Sequence, residues 1–243
     1  DIPRSCTIDD DAGCKYTLGQ RIGQGEQGGV YRFETTDCAG KAAVAVKAFD
    51  QRRTRKMEAS VLHAVSALHP PPNHLLTLAP GFETANREGT CCGCHCVVTE
   101  YVHGETVMHH HGEGTLTPDF IRPLILQTLQ GLAELEAAGY MDPDRHMRNA
   151  MVAGSGEEAR VVLIDFGSAQ KVQWADDQKS PALDNVNRVL ADIGMMVMSA
   201  ARAGNDFIES FQEFKEFQNR FRAQFHQFQS VKDVSIFAHA FYG

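Results

Sequence analysis

The chain has 243 residues, enough for one domain of two lobes or for two small domains, and enough to bury a core without disulfides or metals. Its net charge is −8 and it has no dense Lys/Arg block, which argues against nucleic acid and anionic membrane as partners. No stretch reaches the roughly 18 apolar residues of a membrane span, and the first residue is Asp1, not Met, so the sequence reads as a fragment or a processed form.

Residues 1–15 are polar, with Asp9-Asp10-Asp11, and read as a flexible lead-in. A first strand is expected over 16–22, and a glycine-rich turn leads into a second over 30–33. A turn at 36–40 precedes an apolar, alternating strand over 42–49. Residues 53–68 have helical spacing, with Met57, Val61, Leu62, Val65 and Leu68 on one side, and stop at His69 and three prolines. The basic run Arg52-Arg53-Thr54-Arg55-Lys56 at its start reads as a solvated face. Two further strands follow over 75–82 and 94–102, which makes five strands and one helix.

Gly104 marks the change to a helical half. His109-His110-His111 reads as a solvated turn before Gly112. Thr117-Pro118 is an N-cap followed by proline at the first helical position, and the helix carries Phe120, Ile121, Leu124, Ile125, Leu129, Leu132 and Leu135. Pro123 is tolerated there only because it lies near the start. A loop around Asp144, a short strand over 149–152, a turn and a strand over 161–164 come next. Residues 187–201 form a hydrophobic helix. Phe207, Phe211, Phe214, Phe217, Phe221, Phe225 and Phe228 then recur at steps of three and four, one stripe of a single helix. A stripe of this kind belongs against the core; a docking surface for a partner is the alternative.

The seven cysteines are an odd count, and four fall in Cys91-Cys92-Gly93-Cys94-His95-Cys96. That cluster is too tight to wrap one zinc ion, and no second pair completes a site. Cys94 and Cys96 read as small hydrophobes on a strand, in a reducing compartment.

Four short motifs carry chemistry, and each constrains the others. Residues 23–30 fit G-x-G-x-x-G-x-V; Gly23, Gly25 and Gly28 let backbone N–H groups approach a triphosphate without side-chain clash. Lys47, in Val44-Ala45-Val46-Lys47, is a cation on a strand placed to reach the α- and β-phosphates. Such a lysine needs a carboxylate, and Glu58 on the next helix is the candidate. Asp144 and Asn149 stand five apart, and Asp165-Phe166-Gly167 follows a strand. Asn149 and Asp165 offer the oxygens Mg²⁺ prefers, and Asp144 suits the proton of an attacking hydroxyl. Ile22, Val30, Ala45 and Met151 would sandwich an adenine. Glu100, Tyr101 and Val102 would read its edge with backbone groups, and Thr99 would close the back of the slot.

With these motifs in this order, the chain resembles the eukaryotic-type protein kinase superfamily over about residues 16–202. The resemblance implies an α+β, two-lobe fold with ATP between the lobes. Residues 16–102 would form an antiparallel five-stranded N-lobe and 103–243 a reduced helical C-lobe. It implies ATP and Mg²⁺ as cofactors, with the roles above for Gly23, Gly25, Gly28, Lys47, Glu58, Asp144, Asn149 and Asp165.

Several positions depart from the family pattern. The usual His-Arg before the catalytic Asp is Asp142-Pro143 here, so an arginine that pairs with a phosphorylated activation loop is missing. His146, two after Asp144, matches kinases of the aminoglycoside and choline group and is counted with the catalytic residues. Arg148 matches many tyrosine kinases, so the acceptor type stays open. No Ala-Pro-Glu motif follows Asp165; Ser180-Pro181-Ala182 is a vestige at best, and Asp184 is read as the Asp that opens the next core helix. The economy is similar to that of minimal kinases that bacteria inject into host cells. That likeness implies a protein hydroxyl as acceptor, serine or threonine before tyrosine, and no activation-loop switch. It leaves room for a regulatory or host protein partner, in the cytoplasm or in a host cytosol after secretion. A small-molecule kinase, a pseudokinase scaffold working through the phenylalanine helix, and AMP transfer in place of phosphate transfer are the competing readings.

Overall fold

The computed structural model describes residues 2–25, 27–173 and 180–243, with the side chains of Glu157 and Asn205 left aside. The chain divides into two compact units, residues 1–71 with 76–102, and residues 72–75 with 103–243.

The first unit is a sheet with one long helix. Its elements are β1 (Thr7–Asp9), β2 (Lys15–Gly25), β3 (Gly28–Glu34), β4 (Val44–Phe49), α1 (Arg52–Ser66), α2 (Glu83–Glu88), β5 (Thr90–Cys91) and β6 (Cys94–Glu100). The sheet order is β1-β2-β3-β4-β6-β5, and every pairing is antiparallel. β4 lies between β3 and β6. Its Val-Ala-Val-Lys-Ala-Phe sequence is buried almost throughout, as an interior strand requires. Phe33, Val46, Phe82, Cys96 and Val98 are fully buried in the core on this sheet.

Six strands stand where five were expected, because β1 and the two-residue β5 are added and one expected strand is lost. Residues 75–82 are not a strand. Within this unit they contribute one isolated bridge, Leu78 to Thr99. That bridge is made by the Ala79 N–H on the Val98 carbonyl at 3.2 Å and the Glu100 N–H on the Thr77 carbonyl at 3.1 Å. The buried Asn86 adds to it: its Nδ2 donates to the Val98 carbonyl at 2.9 Å and its Oδ1 accepts from the Val98 N–H at 2.7 Å. Residues 1–15 are not a loose lead-in either. β1 pairs with β2, and Ile2, Cys6 and Ile8 are buried. Asp10, read as part of a solvated acidic run, is buried. It accepts from the N–H groups of Ala12 and Cys14 and meets Lys41 at 3.2 Å.

Three disulfides hold this unit: Cys6–Cys92, Cys14–Cys38 and Cys91–Cys96; Cys94 is free. This corrects the reading of Cys96 as a small hydrophobe and of the cysteines as markers of a reducing compartment. The partners lie up to 86 residues apart, and only the fold brings them together. The tight 91–96 run joins its own ends and reaches back to β1.

The second unit holds β7 (Gly104–Thr106), α3 (Val107–Gly112), α4 (Pro118–Ala137), β8 (Tyr140–Met141), β9 (Ala150–Ala153), β10 (Arg160–Leu163), β11 (Gln170–Lys171), α5 (Leu183–Ala203), α6 (Ile208–Gln224) and α7 (Val231–Tyr242). β10, β9 and β7 form a small antiparallel sheet, and Leu75 bridges to Leu163. The triple histidine forms α3, not a solvated turn, because the Thr106 hydroxyl accepts from the His109 N–H and caps it. α4 passes through Pro123 without stopping and buries Ile121, Leu124, Ile125, Leu129, Leu132 and Leu135.

The phenylalanine stripe is not one helix. A 3₁₀ turn leads into α6, another follows it, and α7 begins at a capping box of Ser230 and Asp233. Phe214, Phe217, Phe221 and Phe228 are buried. Phe217 meets Phe237, Phe241 and Tyr242 of α7 at ring distances of 5.8, 5.5 and 5.3 Å. Phe214 lies against α5, where a Cβ on Gly194 would stand 2.7 Å from its ring. The stripe is core. No helix among the described residues is long and apolar enough to cross a membrane.

Candidate active site

The first unit contributes a lysine and a glycine hairpin. β4 places Lys47 opposite Val30 and Val97. Its Nζ lies 2.6 Å from Oε2 of Glu58 on α1; the Glu58 side chain is 2% exposed and that of Lys47 13%. A carboxylate so buried is tolerated because a cation meets it. The helix that carries Glu58 is held in turn by Arg55. Arg55 Nε donates to the Cys96 carbonyl at 3.1 Å and its Nη2 to the Asn86 carbonyl. Burial pushes the Arg55 guanidinium below its ordinary pKa, with Arg52 adding to the effect. Gly89, in the left-handed region at φ 68°, leaves room for that guanidinium. Nothing in the spacing of the sequence singled Arg55 out from the basic run around it.

β2 and β3 form the glycine hairpin; Glu26 at its tip lies outside the described residues. The three glycines differ in why they are glycine. Gly28 is at φ 145°, and a Cβ there would run into the Ala48 carbonyl, so strand pairing demands it. At Gly23 and Gly25 a Cβ would meet only ordinary contacts, Val30 at 3.6 Å and the Gly28 carbonyl at 3.9 Å, and neither has a positive φ. The fold itself does not need glycine at those two positions.

Of the adenine-slot residues, Ile22 is exposed, Val30 half-buried, and Ala45, Thr99 and Val102 buried. Thr99 stands opposite Ala45 and donates to its carbonyl at 3.5 Å. The Glu100 carboxylate accepts from the N–H and hydroxyl of Thr77, both at 3.1 Å. Met151 belongs to the second unit, on β9 between Thr106 and Val162.

In the second unit, residues 142–149 connect β8 to β9, and α5 fixes this loop at two points. Asp192 Oδ2 accepts from the Met147 N–H at 2.7 Å, and Arg188 Nη1 donates to the Pro143 carbonyl at 2.8 Å. Asp184, read as the acidic residue opening this helix, is in its first turn but exposed. The aspartate bonded to the loop is Asp192, two turns further on. The signal was available, since Asp192 lies on a helix whose apolar positions mark its inner face. Asp144 is exposed, and its N–H donates to Asp142 Oδ1 at 3.2 Å. His146 is half-buried, and its Nδ1 has no hydrogen-bond partner among the described residues. Arg148 is exposed.

The loop and the strand end at Asp165 are stitched together. The Ile164 N–H donates to the Asn149 carbonyl at 2.9 Å. Asp165 sits at φ 56°, a left-handed conformation that costs an L-residue about 1–2 kcal/mol. Its Oδ1 accepts from the Gly167 N–H at 3.3 Å, and Phe166 beside it is fully buried. Arg145, to which no role was assigned from the sequence, joins the two segments. Its Nη1 donates to the carbonyls of Asn149 and Ile164 at 2.8 and 2.5 Å, and its Nη2 to the Asp165 carbonyl at 3.3 Å. Nη2 also meets Asp142 at 2.6 Å, with both side chains fully buried. A carboxylate on Asp165 and an amide oxygen on Asn149 are hard oxygen donors, a set that fits Mg²⁺. Among the described residues no group of three or more His, Cys, Asp or Glu side chains could hold an ion.

The sequence matches the protein kinase domain family over residues 16–186, and the chain belongs to that family. It is 29% identical to the serine/threonine-protein kinase pkn2 of Myxococcus xanthus, over 65% of this chain and 18% of that protein. It is 26% identical to a probable serine/threonine-protein kinase, pknA2, of Bifidobacterium longum, over 76% of this chain and 24% of that protein. To calcium-dependent protein kinase 9 of Oryza sativa subsp. japonica it is 28% identical, over 63% of this chain and 26% of that protein. The chain thus matches about a quarter or less of the length of these relatives.

Proposed function

We propose that this chain is an ATP- and Mg²⁺-dependent protein kinase that transfers the γ-phosphate to a serine or threonine hydroxyl of a protein. The observation that carries the reading is the 2.6 Å pair of Lys47 and Glu58 behind a hairpin whose Gly23 and Gly25 the fold does not itself require. Lys47 would neutralise charge on the α- and β-phosphates, with Glu58 fixing where its ammonium points. The backbone N–H groups of residues 23–28 would face the phosphate oxygens. Asn149 and Asp165 would hold Mg²⁺, which when bound neutralises charge on the phosphates. Asp144 would orient the acceptor hydroxyl and take its proton as the oxygen bonds to the γ-phosphorus and the bond to the β-phosphate oxygen breaks, with ADP leaving. The serine/threonine acceptor is favoured by the similarity to two kinases named as serine/threonine kinases, pkn2 and pknA2.

The reading extends to regulation. Pro143 occupies the position where the family carries an arginine, and its carbonyl is held by Arg188 on α5. A loop anchored through α5 supports a minimal kinase that acts without activation-loop phosphorylation. Residues 174–179 of the expected activation segment lie outside the described residues. The three disulfides shift the expected location from the cytoplasm, or a host cytosol, to an oxidising compartment.

The test is incubation with α- and γ-labelled ATP and Mg²⁺, with generic proteins as acceptors. Label passing to serine or threonine from γ-labelled ATP alone supports the reading. Label from α-labelled ATP would replace it with AMP transfer, and no transfer would favour a scaffold.

A further inference from the structure

We propose that Arg145 is a positioning residue: it sets the backbone of Asp165 and Asn149 so that their side-chain oxygens converge on one metal ion. The proposal rests on the reading that these two residues hold Mg²⁺. Arg145 follows Asp144 in sequence, and the family pattern at this point, H-R-D-L, has no ion pair of this kind. Here Asp142 and Arg145 make one, with side chains 1% and 0% exposed. Burying a charge pair costs desolvation that a leucine would avoid, so stability alone is a weak reason for it. A planar fork of donors does what no apolar side chain can.

The acceptors show what the fork does. The guanidinium reaches three carbonyls, of Asn149, Ile164 and Asp165, and lies 5.3 Å from the centroid of the Phe166 ring. All belong to the two segments that supply the metal-binding pair. Two of the carbonyls, at 164 and 165, flank the φ of 56° at Asp165. Arg145 thus grips the strained residue from its carbonyl side, while Gly167 holds its carboxylate. Asp142 completes the arrangement from the other end, since its Oδ1 takes the Asp144 N–H and its Oδ2 takes Arg145. One ion pair thereby links the base candidate to both metal-binding candidates.

The experiment measures Mn²⁺ affinity by electron paramagnetic resonance with a saturating, non-hydrolysable ATP analogue, and thermal unfolding alongside. The main variant is the double change D142N/R145L. It removes both buried charges together and keeps an amide oxygen for the Asp144 N–H, so it leaves no unpaired buried charge, and its cost is that of the carbonyls that lose a donor. Its Mn²⁺ dissociation constant should rise about tenfold or more, a loss of about 1.4 kcal/mol. R145K, which keeps the charge and loses the fork, should fall between wild type and the double variant, and it carries the test if the double variant does not fold. Wild-type Mn²⁺ affinity in a folded D142N/R145L or R145K would overturn the proposal. D165A is the control: if it leaves Mn²⁺ affinity unchanged, the metal-site reading itself fails, and if only D165A weakens binding, the metal site stands and the role of Arg145 falls.

Discussion

Arg55 Nε donates to the main-chain carbonyl of Cys96 at 3.1 Å, and Cys96 is itself bonded through sulfur to Cys91. The helix carrying Glu58 is therefore tied to a disulfide-closed hairpin, which Cys92 ties in turn to Cys6 near β1. Native protein should titrate with one thiol, that of Cys94. C6A/C92A should lower stability by about 4 kcal/mol on the chain-entropy account of a long closed loop. Thiol counting under native conditions and unfolding with and without reductant check both. A count of seven thiols with an unchanged melting temperature would remove the disulfides and the oxidising compartment with them.

The proposed metal site gives a second prediction. D165A should abolish Mg²⁺-dependent transfer while circular dichroism stays that of the wild type, because a lost metal ligand forfeits several kcal/mol of transition-state stabilisation, roughly. Wild-type turnover in that variant would sink the assignment.

Much of this site was legible in the sequence because it is local. The strand before Lys47, the step from Asp144 to Asn149 and the strand end at Asp165 are written in short runs with one periodicity each. What was missed depends on distant partners. The disulfides join positions up to 86 residues apart, and the composition of the first 15 residues resembles that of a solvated tail. Asn86 bonds Val98 through two side-chain bonds beside a single short bridge from residues 77–79, and no propensity encodes that. Arg55 was read as part of a solvated basic run and Arg145 carried no role, since an arginine reads the same in sequence whether its fork meets water or buried carbonyls. Asp184 was read as opening the helix, and it does lie in the first turn, but the face of α5 decides which carboxylate meets the loop, and that is Asp192.

Regulation is checked by removing phosphate. Protein treated with phosphatase should keep its activity without prior autophosphorylation, since Pro143 cannot read a phosphorylated loop. A fall of about tenfold or more, roughly 1.4 kcal/mol of barrier, would show that a switch exists.

Glu136 makes stability depend on pH. It is buried on α4, where its Oε2 accepts from the Val231 N–H at 2.9 Å at the start of α7. Burial pushes its carboxyl above the usual range; hydrogen bonds from Ser180, Val231 and Lys232 oppose this, and the nearby Asp233 charge adds to it. With the folded value raised above the unfolded one, the folded state holds the proton more tightly. The contribution is full below the ordinary carboxyl range and is lost as pH rises through the raised value. E136Q, which mimics the protonated form, should therefore gain on the wild type as pH climbs from about 4 towards 7. Melting temperatures of both proteins across that range are the measurement, and a difference that does not change with pH would show that Glu136 does not titrate in this way.

The phenylalanine stripe decides between core and docking surface. Phe217 is fully buried and touches the rings of Phe214, Phe221, Phe237, Phe241 and Tyr242; Phe221 stacks on Phe228 at 5.6 Å. Truncating either ring leaves a cavity that α5, α6 and α7 cannot close without moving several aromatic neighbours at once. F217A and F221A should each cost about 3–5 kcal/mol, the range for buried phenylalanines cut to alanine. Because the two rings touch, at 6.3 Å between centroids, the double variant should lose less than the sum of the two. Phe211, only half-buried at the edge of the stripe, should cost clearly less. Denaturant unfolding of the four variants measures all of this. If F217A and F221A unfold like the wild type and differ only in binding another protein, the stripe is a docking element and the helical unit is a scaffold.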